Sequence, residues 1–313
     1  MKAFLYILLM FYCVCNVRGQ DMQFTQFYAN PIYLNSAFAG SNFCPRVCLN
    51  YRNQWPNLSG TYVSYSASYD RYVKAMAGGI GLLVTTDDQA RGTLKTTTAS
   101  FIYAYNIKVN RTFSINAALQ ATYFQKTLDW TKLNFGDMID PRRGFVWNTN
   151  EIVPSQTKRN ADFSAGLLGY SKHYFFGFAA NHLTQPDEGL LGVSKLPAKF
   201  TIHGGAIIDL EKGGESYISP NILIQAQQKF LQVNLGLYYK HDAFVAGLWY
   251  RNNDAVIALV GVQGKFIKVG YSYDVTISKL AGNTAGSHEI SLQIQLACKQ
   301  RAPKYRLVSC PSF

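Results

Sequence analysis

The sequence predicts an all-β protein, a closed antiparallel transmembrane β-barrel of about fourteen strands. Three observations point there: an export signal at the start, a composition that is apolar yet lacks a membrane helix, and a period-two alternation repeated along the chain. Lys2 supplies a positive start and Ala3 to Val17 an apolar stretch of signal-peptide length. Val17-Arg18-Gly19 then places the expected cut before Gln20, making residues 1–19 the signal peptide. The apolar run is shorter than the roughly 20 residues a spanning helix needs. Cys13 and Cys15 follow Tyr12 and Val14 rather than the small residues of a lipoprotein signal.

Of the 313 residues, 48% are hydrophobic, 14% aromatic and only 15% charged. Soluble domains carry about a quarter charged residues, so this chain has surface that does not face water. The formal net charge is +12, or +10 without Lys2 and Arg18. An exported chain has no nucleic acid to meet, so the basic balance suits lipid phosphates of the outer membrane or acidic partners.

Period two puts alternate side chains on opposite faces of a sheet. Ile290, Leu292, Ile294 and Leu296 oppose Glu289, Ser291, Gln293 and Gln295. Phe113, Ile115, Ala117, Leu119, Ala121 and Tyr123 oppose Ser114, Asn116, Gln120 and Thr122, and similar splits occur around 231–239 and 269–278. A polar second face implies lipid outside and water inside. The strands fall near 44–54, 59–70, 77–86, 93–108, 112–125, 161–171, 174–183, 199–209, 217–226, 231–239, 243–251, 255–263, 267–278 and 287–297. The even count places both termini on the periplasmic side. It also sorts the connections: short turns at 109–111, 171–173, 240–242 and 264–266 on that side, the long loops 126–160 and 184–198 on the other.

Residues 20–43 precede the barrel (44–297) and read as turn-rich, with Asn30-Pro31 and Ala37-Phe38-Ala39-Gly40; they are expected to enter the lumen as a plug or to lie beneath it. Residues 298–313 form a basic tail with Lys299, Arg301, Lys304 and Arg306 and no acid. It is expected to hang in the periplasm as a docking surface for a partner. Cys44 and Cys48 open the first strand, and Cys298 and Cys310 lie beyond the last. In an exported chain four cysteines favour disulfides over zinc, with three pairings open.

On the period-two phase, Arg46, Arg52, Asp70, Asp274 and Glu289 face inward on strands 1, 2, 13 and 14, which become neighbours when the sheet closes. Arg52 is expected high in the seam near Glu289 or Asp274, and Arg46 low near Asp70. Two roles are open: an ion-pair network that locks the seam, or a docking site for the N-terminal segment or a partner's peptide. Catalytic signals are weak. The chain lacks a GxSxG elbow, His203-Gly204-Gly205 lies within a strand pattern, and His288 and Glu289 are adjacent strand residues pointing to opposite faces. No metal cluster or phosphate-cradling glycine loop is visible, so a non-enzyme without cofactors is expected.

Five ordered motifs carry a resemblance. Gln26-Phe27-Tyr28-Ala29-Asn30-Pro31-Ile32-Tyr33-Leu34-Asn35 with Ala37-Phe38-Ala39-Gly40, then Tyr51-Arg52-Asn53-Gln54-Trp55-Pro56, Gly270-Tyr271-Ser272-Tyr273-Asp274, Ser287-His288-Glu289-Ile290-Ser291-Leu292 and Cys310-Pro311-Ser312-Phe313 resemble the PorP/SprF family. Ser36 stands where that family's pattern has Pro, removing one rigid φ angle. The resemblance implies a non-enzymatic outer-membrane component of type IX secretion and gliding motility, needed for export or surface attachment of secreted proteins. Its implied partners are periplasmic ring and peptidoglycan-binding components, the inner-membrane motor, or a secreted surface adhesin. An outer-membrane diffusion channel or small-molecule transporter is the alternative with the same wall.

Overall fold

The computed structural model of the protein describes residues 21–297 except 43, 59, 151–155, 191, 212–215, 279–281 and 283. The signal peptide, Cys298, Cys310 and the basic tail with Lys299, Arg301, Lys304 and Arg306 lie outside the described residues.

Fourteen antiparallel strands form one up-and-down barrel. They are β1 (Arg46–Gln54), β2 (Tyr62–Val73), β3 (Gly78–Gln89), β4 (Leu94–Lys108), β5 (Ser114–Leu128), β6 (Thr157–Tyr170), β7 (Tyr174–Asn181), β8 (Lys199–Ala206, continued as Ile208–Asp209), β9 (Ser216–Gln227), β10 (Phe230–His241), β11 (Phe244–Arg251), β12 (Ala255–Gln263), β13 (Ile267–Thr276) and β14 (Ser287–Gln295). Each pairs with its sequence neighbours, and β1 closes on β14 in a register running from Arg46↔Gln295 to Gln54↔Ser287.

The burial pattern inverts that of a soluble protein. Leu119 and Phe244 on the outer face are each 70% exposed, while Asn234 and Glu289 on the inner face are fully buried. Only a lipid environment makes both placements favourable, because apolar outer surface needs no water and inner polar groups find partners in the lumen. Aromatic side chains stand on the outer face at both strand ends: Tyr62 and Tyr250 at one rim, Tyr174, Phe244 and Phe266 at the other. Such girdles sit at the two lipid–water interfaces. Among the described residues no helix is long and apolar enough to cross a membrane; the strands do the crossing.

The rim where β1 starts and β14 ends carries only short connections, the longest being residues 109–113 and 210–215. The opposite rim carries the two longest, 129–156 and 182–198. The rim with short turns is the periplasmic one by the rule for such barrels. The outer loop 129–156 holds two 3-10 turns (Trp130–Lys132 and Gly136–Met138) and a small hairpin pairing Ile139–Asp140 with Gly144–Phe145. Loop 182–198 is tied to the rims of β5 and β6 by Lys126–Glu188 at 2.9 Å and Lys158–Asp187 at 2.8 Å.

One expectation fails. The first strand does begin at the periplasmic rim, but Asp21 lies at the opposite end, beside His182 just above β7. Between them the chain runs the length of the lumen. Strand parity fixes where β1 starts and says nothing about a non-strand segment threaded back through the barrel.

Candidate functional site in the lumen

The segment 21–42 is built from tight turns: a 3-10 turn (Phe27–Ala29), a single-turn helix α1 (Pro31–Leu34) and a second 3-10 turn (Ser36–Phe38). Pro31 at the first helical position loses no needed N–H and has its φ already set. The Asn35 side chain then accepts from Ala37 N at 2.9 Å, capping the second turn. Such turns leave backbone groups unpaired, and the barrel wall supplies their partners.

At the upper, outward end, Asp21 Oδ2 lies 3.0 Å from His182 Nε2 and 3.6 Å from Lys199 Nζ. His182 Nδ1 is 2.7 Å from Asp162 Oδ2, and the Thr184 hydroxyl donates to Asp162 Oδ1 at 2.7 Å. Just below, Glu289 accepts from Thr25 N (2.6 Å), Thr25 Oγ1 (2.8 Å) and Gln26 N (3.1 Å). The Gln26 side chain donates to Glu289 O at 2.9 Å and accepts from Ser291 Oγ at 2.6 Å. At mid-height Asn30 donates to Ser66 Oγ at 2.8 Å, and Asn35 Nδ2 to Leu167 O at 3.0 Å, with His203 Nε2 also 3.1 Å away. Lower down, Asn116 Nδ2 donates to Ala37 O at 2.9 Å and Gly40 N to Asp70 Oδ2 at 3.0 Å.

The apolar side of the segment packs on an aromatic group of the wall. Phe27 meets Trp249 edge-on at 5.0 Å, Tyr28 meets Phe175 at 5.3 Å, and Phe38 stacks on His203 at 5.3 Å between centroids. Such pairs contribute about 0.5–1.5 kcal/mol each beyond their area.

Glycines cut notches in the wall where the segment comes closest. A Cβ on Gly79 would lie 2.1 Å from Ala39 O, one on Gly166 2.2 Å from Asn35 Oδ1, and one on Gly270 2.5 Å from Gln26 Oε1. Gly40, which touches Gly79, has φ +66°, a left-handed conformation that glycine adopts freely.

The inward charges meet this segment. Arg46 Nε is 2.8 Å from Asp70 Oδ1 at the lower end, and Arg46 Nη2 also reaches Phe38 O at 3.5 Å. Arg52 Nη2 is 2.9 Å from Asp274 Oδ2, and Arg52 Nη1 is 3.4 Å from Glu289 Oε2 and touches Thr25 Oγ1. Arg251 Nη1 joins the same group, 3.5 Å from Asp274 and 3.0 Å from Asp254. Thus the seam charges hold β1 to its neighbours and the segment to the seam.

Sequence reasoning missed Lys199, Arg251, Asp162 and His182, and set His203 aside. The inward glycines of β3, β6 and β13 were the readable signal, because glycine inside a strand marks a close backbone approach. Cys44 is disulfide-bonded, whereas Cys48 is a free buried thiol. The expectation of a disulfide at Cys48 is therefore corrected: the side chain points into the lumen, 3.9 Å from Gln293 Oε1, while Cys44 sits on the chain before β1. Among the described residues no cluster of His, Cys, Asp and Glu is placed to hold a metal ion.

His182 stands in the loop beyond β7. Burial would depress its pKa, but the charges of Asp21 and Asp162 and their hydrogen bonds outweigh that and raise it to about 9. Relative to an ordinary histidine near 6.5 this is on the order of 3 kcal/mol. A raised folded pKa stabilises fully below pH 6.5, and the contribution fades as pH rises through about 9. Protease cleavage near Asp21 is therefore expected to accelerate between pH 6.5 and 9.5, and His182→Gln to flatten that dependence. Equal pH profiles for the two proteins would contradict a stabilising ionic contact between His182 and Asp21.

The wall, the inverted burial and the loop asymmetry define an outer-membrane β-barrel with a filled lumen. Residues 16–294 match the model of the family described as type IX secretion system membrane protein PorP/SprF, and the chain belongs to that family. Similar solved structures include the P. putida toluene transporter TodX (9% identity, TM-score 0.49, covering 84% of this chain and 92% of that one). The CymD monoaromatic hydrocarbon channel is similar at 12% identity and TM-score 0.48, covering 90% and 96%. Omp33 of Acinetobacter baumannii is similar at 6% identity and TM-score 0.47, covering 82% and 100%. A comparison with curated proteins finds no match.

Proposed function

We propose that the protein serves type IX secretion and gliding motility as a closed, non-enzymatic outer-membrane platform, needed to export secreted proteins or attach them to the cell surface. Family membership supports the machinery. The single structural observation favouring a platform over a diffusion channel is the lumenal segment, hydrogen-bonded to the wall at its upper end, middle and lower end. A diffusion channel needs an open path; here the space is occupied by the chain's own residues. The partners are periplasmic ring and peptidoglycan-binding components of the machinery or a secreted surface adhesin. The periplasmic rim is their meeting place, with the basic tail 298–313 as a docking element.

Affinity purification from gently solubilised outer membrane tests this. Recovery of periplasmic or surface components of the machinery is expected, and a barrel recovered alone would oppose it. In planar bilayers the intact chain is expected to conduct little, and deletion of residues 21–42 to open a pore. An intact chain conducting as well as that deletion would favour the channel reading.

A further inference from the structure

Beside the upper part of the segment, toward the outward mouth, lies a cavity of about 220 Å³ lined by Asp21, Met22 and Tyr33 of the segment, the upper halves of β3 to β6 and loop 182–198. We propose that this vestibule is a binding site for an uncharged saccharide of one or two rings. A cavity of roughly 150 Å³ already holds benzene, so the volume suits a ligand of that size.

The walls are rows of hydroxyls and amides pointing inward: Thr85 from β3, Thr98 and Ser100 from β4, Gln120 and Thr122 from β5, and Ser164 from β6. Thr85 and Thr98 hydroxyls lie 2.6 Å apart, and Gln120 Nε2 donates to both Ser100 and Thr122 at 3.1 Å. Each hydroxyl has one donor and two acceptor positions, so these mutual bonds leave capacity for a polyhydroxylated ligand. Apolar surface lies among these groups, from the Tyr33 ring, Leu83 and Phe124. A sugar presents both matching surfaces, hydroxyls at its rim and C–H groups on its ring face.

Charge excludes the nearest rivals. Most charged groups in the vestibule are already paired: Lys126 with Glu188, Lys199 with Asp21, and His182 between Asp21 and Asp162. Asp87, the remaining carboxylate, accepts from Ser64 Oγ at 2.6 Å and Gln89 Nε2 at 2.7 Å and has no cation within ion-pair distance among the described residues. An anionic ligand would meet it without compensation. A peptide fares no better, because the strands of this wall are paired on both sides and offer no free edge for backbone addition.

The test uses the full chain purified in detergent, with saturation-transfer NMR against glucose, galactose, N-acetylglucosamine, their disaccharides, glucuronate and purified lipopolysaccharide. Saturable binding of a neutral sugar is expected, with Thr98→Val and Asp87→Asn about tenfold weaker, the effect of a lost hydrogen bond at the upper end of its usual range. Heat-modifiable gel migration verifies that both variants remain folded barrels. A response to free sugars assigns the site to soluble glycans; a response to lipopolysaccharide alone, abolished by the same variants, assigns it to surface-bound glycans. Glucuronate binding as tightly as its neutral counterpart, unchanged affinity in both variants, or no binding at about 10 mM would overturn the proposal. Partner recovery is read separately, so a failure here leaves the secretion role standing.

Discussion

Gly79→Val is expected to expel the lower end of the lumenal segment and to cost more than about 4 kcal/mol, the range reserved for severe steric or cavity effects. The added Cβ alone would lie 2.1 Å from Ala39 O, 2.4 Å from Ala39 C and 2.6 Å from Gly40 Cα. All three are backbone atoms, so no rotamer change relieves the clash. Gly79 is itself fixed by ladder pairing to Tyr72 on β2 and Ala104 on β4. One side must give, and the segment is held there by fewer bonds than the strand. Gly40 N would leave Asp70, and Arg46 would lose Phe38 O. Gly60→Ala is the control: nothing lies within 4 Å of a Cβ there, and a change within about 0.5 kcal/mol is expected. Urea unfolding in lipid vesicles, read together with bilayer conductance, tests both. Gly79→Val as stable and as closed as the unaltered chain would show that the notch does not seat the segment.

The barrel was legible in the sequence because lipid on one side and a polar lumen on the other force a strict alternation. All fourteen expected strands appear, with ends displaced by a few residues. The extension of β5 to Leu128 is such a case, since Leu128 N still bonds to Gln156 O above the expected end. The inward phase was equally readable, and Arg52, Asp274 and Glu289 meet at one point of the seam. What strand periodicity could not carry was the path of residues 21–42, which have no period of their own. Their position depends on contacts with wall residues up to 265 positions away. The motifs behind the family resemblance nevertheless converge there. Gln26, Asn30, Asn35 and Gly40 from the first motif each bond to the wall. Arg52, Asp274 and Glu289, from three others, form the charged seat beneath Thr25. Four of the five motifs thus contribute residues that seat the lumenal segment or belong to it.

Glu289→Gln is expected to loosen the upper half of that segment and to cost about 3–5 kcal/mol, the usual effect of removing one member of a buried charge pair. Glu289 is fully buried and takes four donors on its two oxygens: Thr25 N, Thr25 Oγ1, Gln26 N and Arg52 Nη1. Glutamine keeps the shape but has one acceptor oxygen, and its amide would press N–H groups against N–H donors. Arg52 loses one of its two carboxylate partners too. Arg52 and Arg251 would then share Asp274, leaving Asp254 as the one other carboxylate at the site, and that belongs to Arg251. The double variant Arg52→Met with Glu289→Gln removes a positive and a negative charge together, and should cost less than the sum of the two single changes. Its remaining loss should be the hydrogen bonds to Thr25 and Gln26, roughly 1–3 kcal/mol for each donor left buried without a partner, together with the Arg52–Asp274 pair, which leaves Asp274 to Arg251 at 3.5 Å. The measurement is a double-mutant cycle on the urea transition in lipid, with cleavage between Asp21 and Phe24 followed in parallel. Additive costs, or a Glu289→Gln barrel within about 1 kcal/mol of the unaltered one, would mean that the seam holds the segment by packing alone.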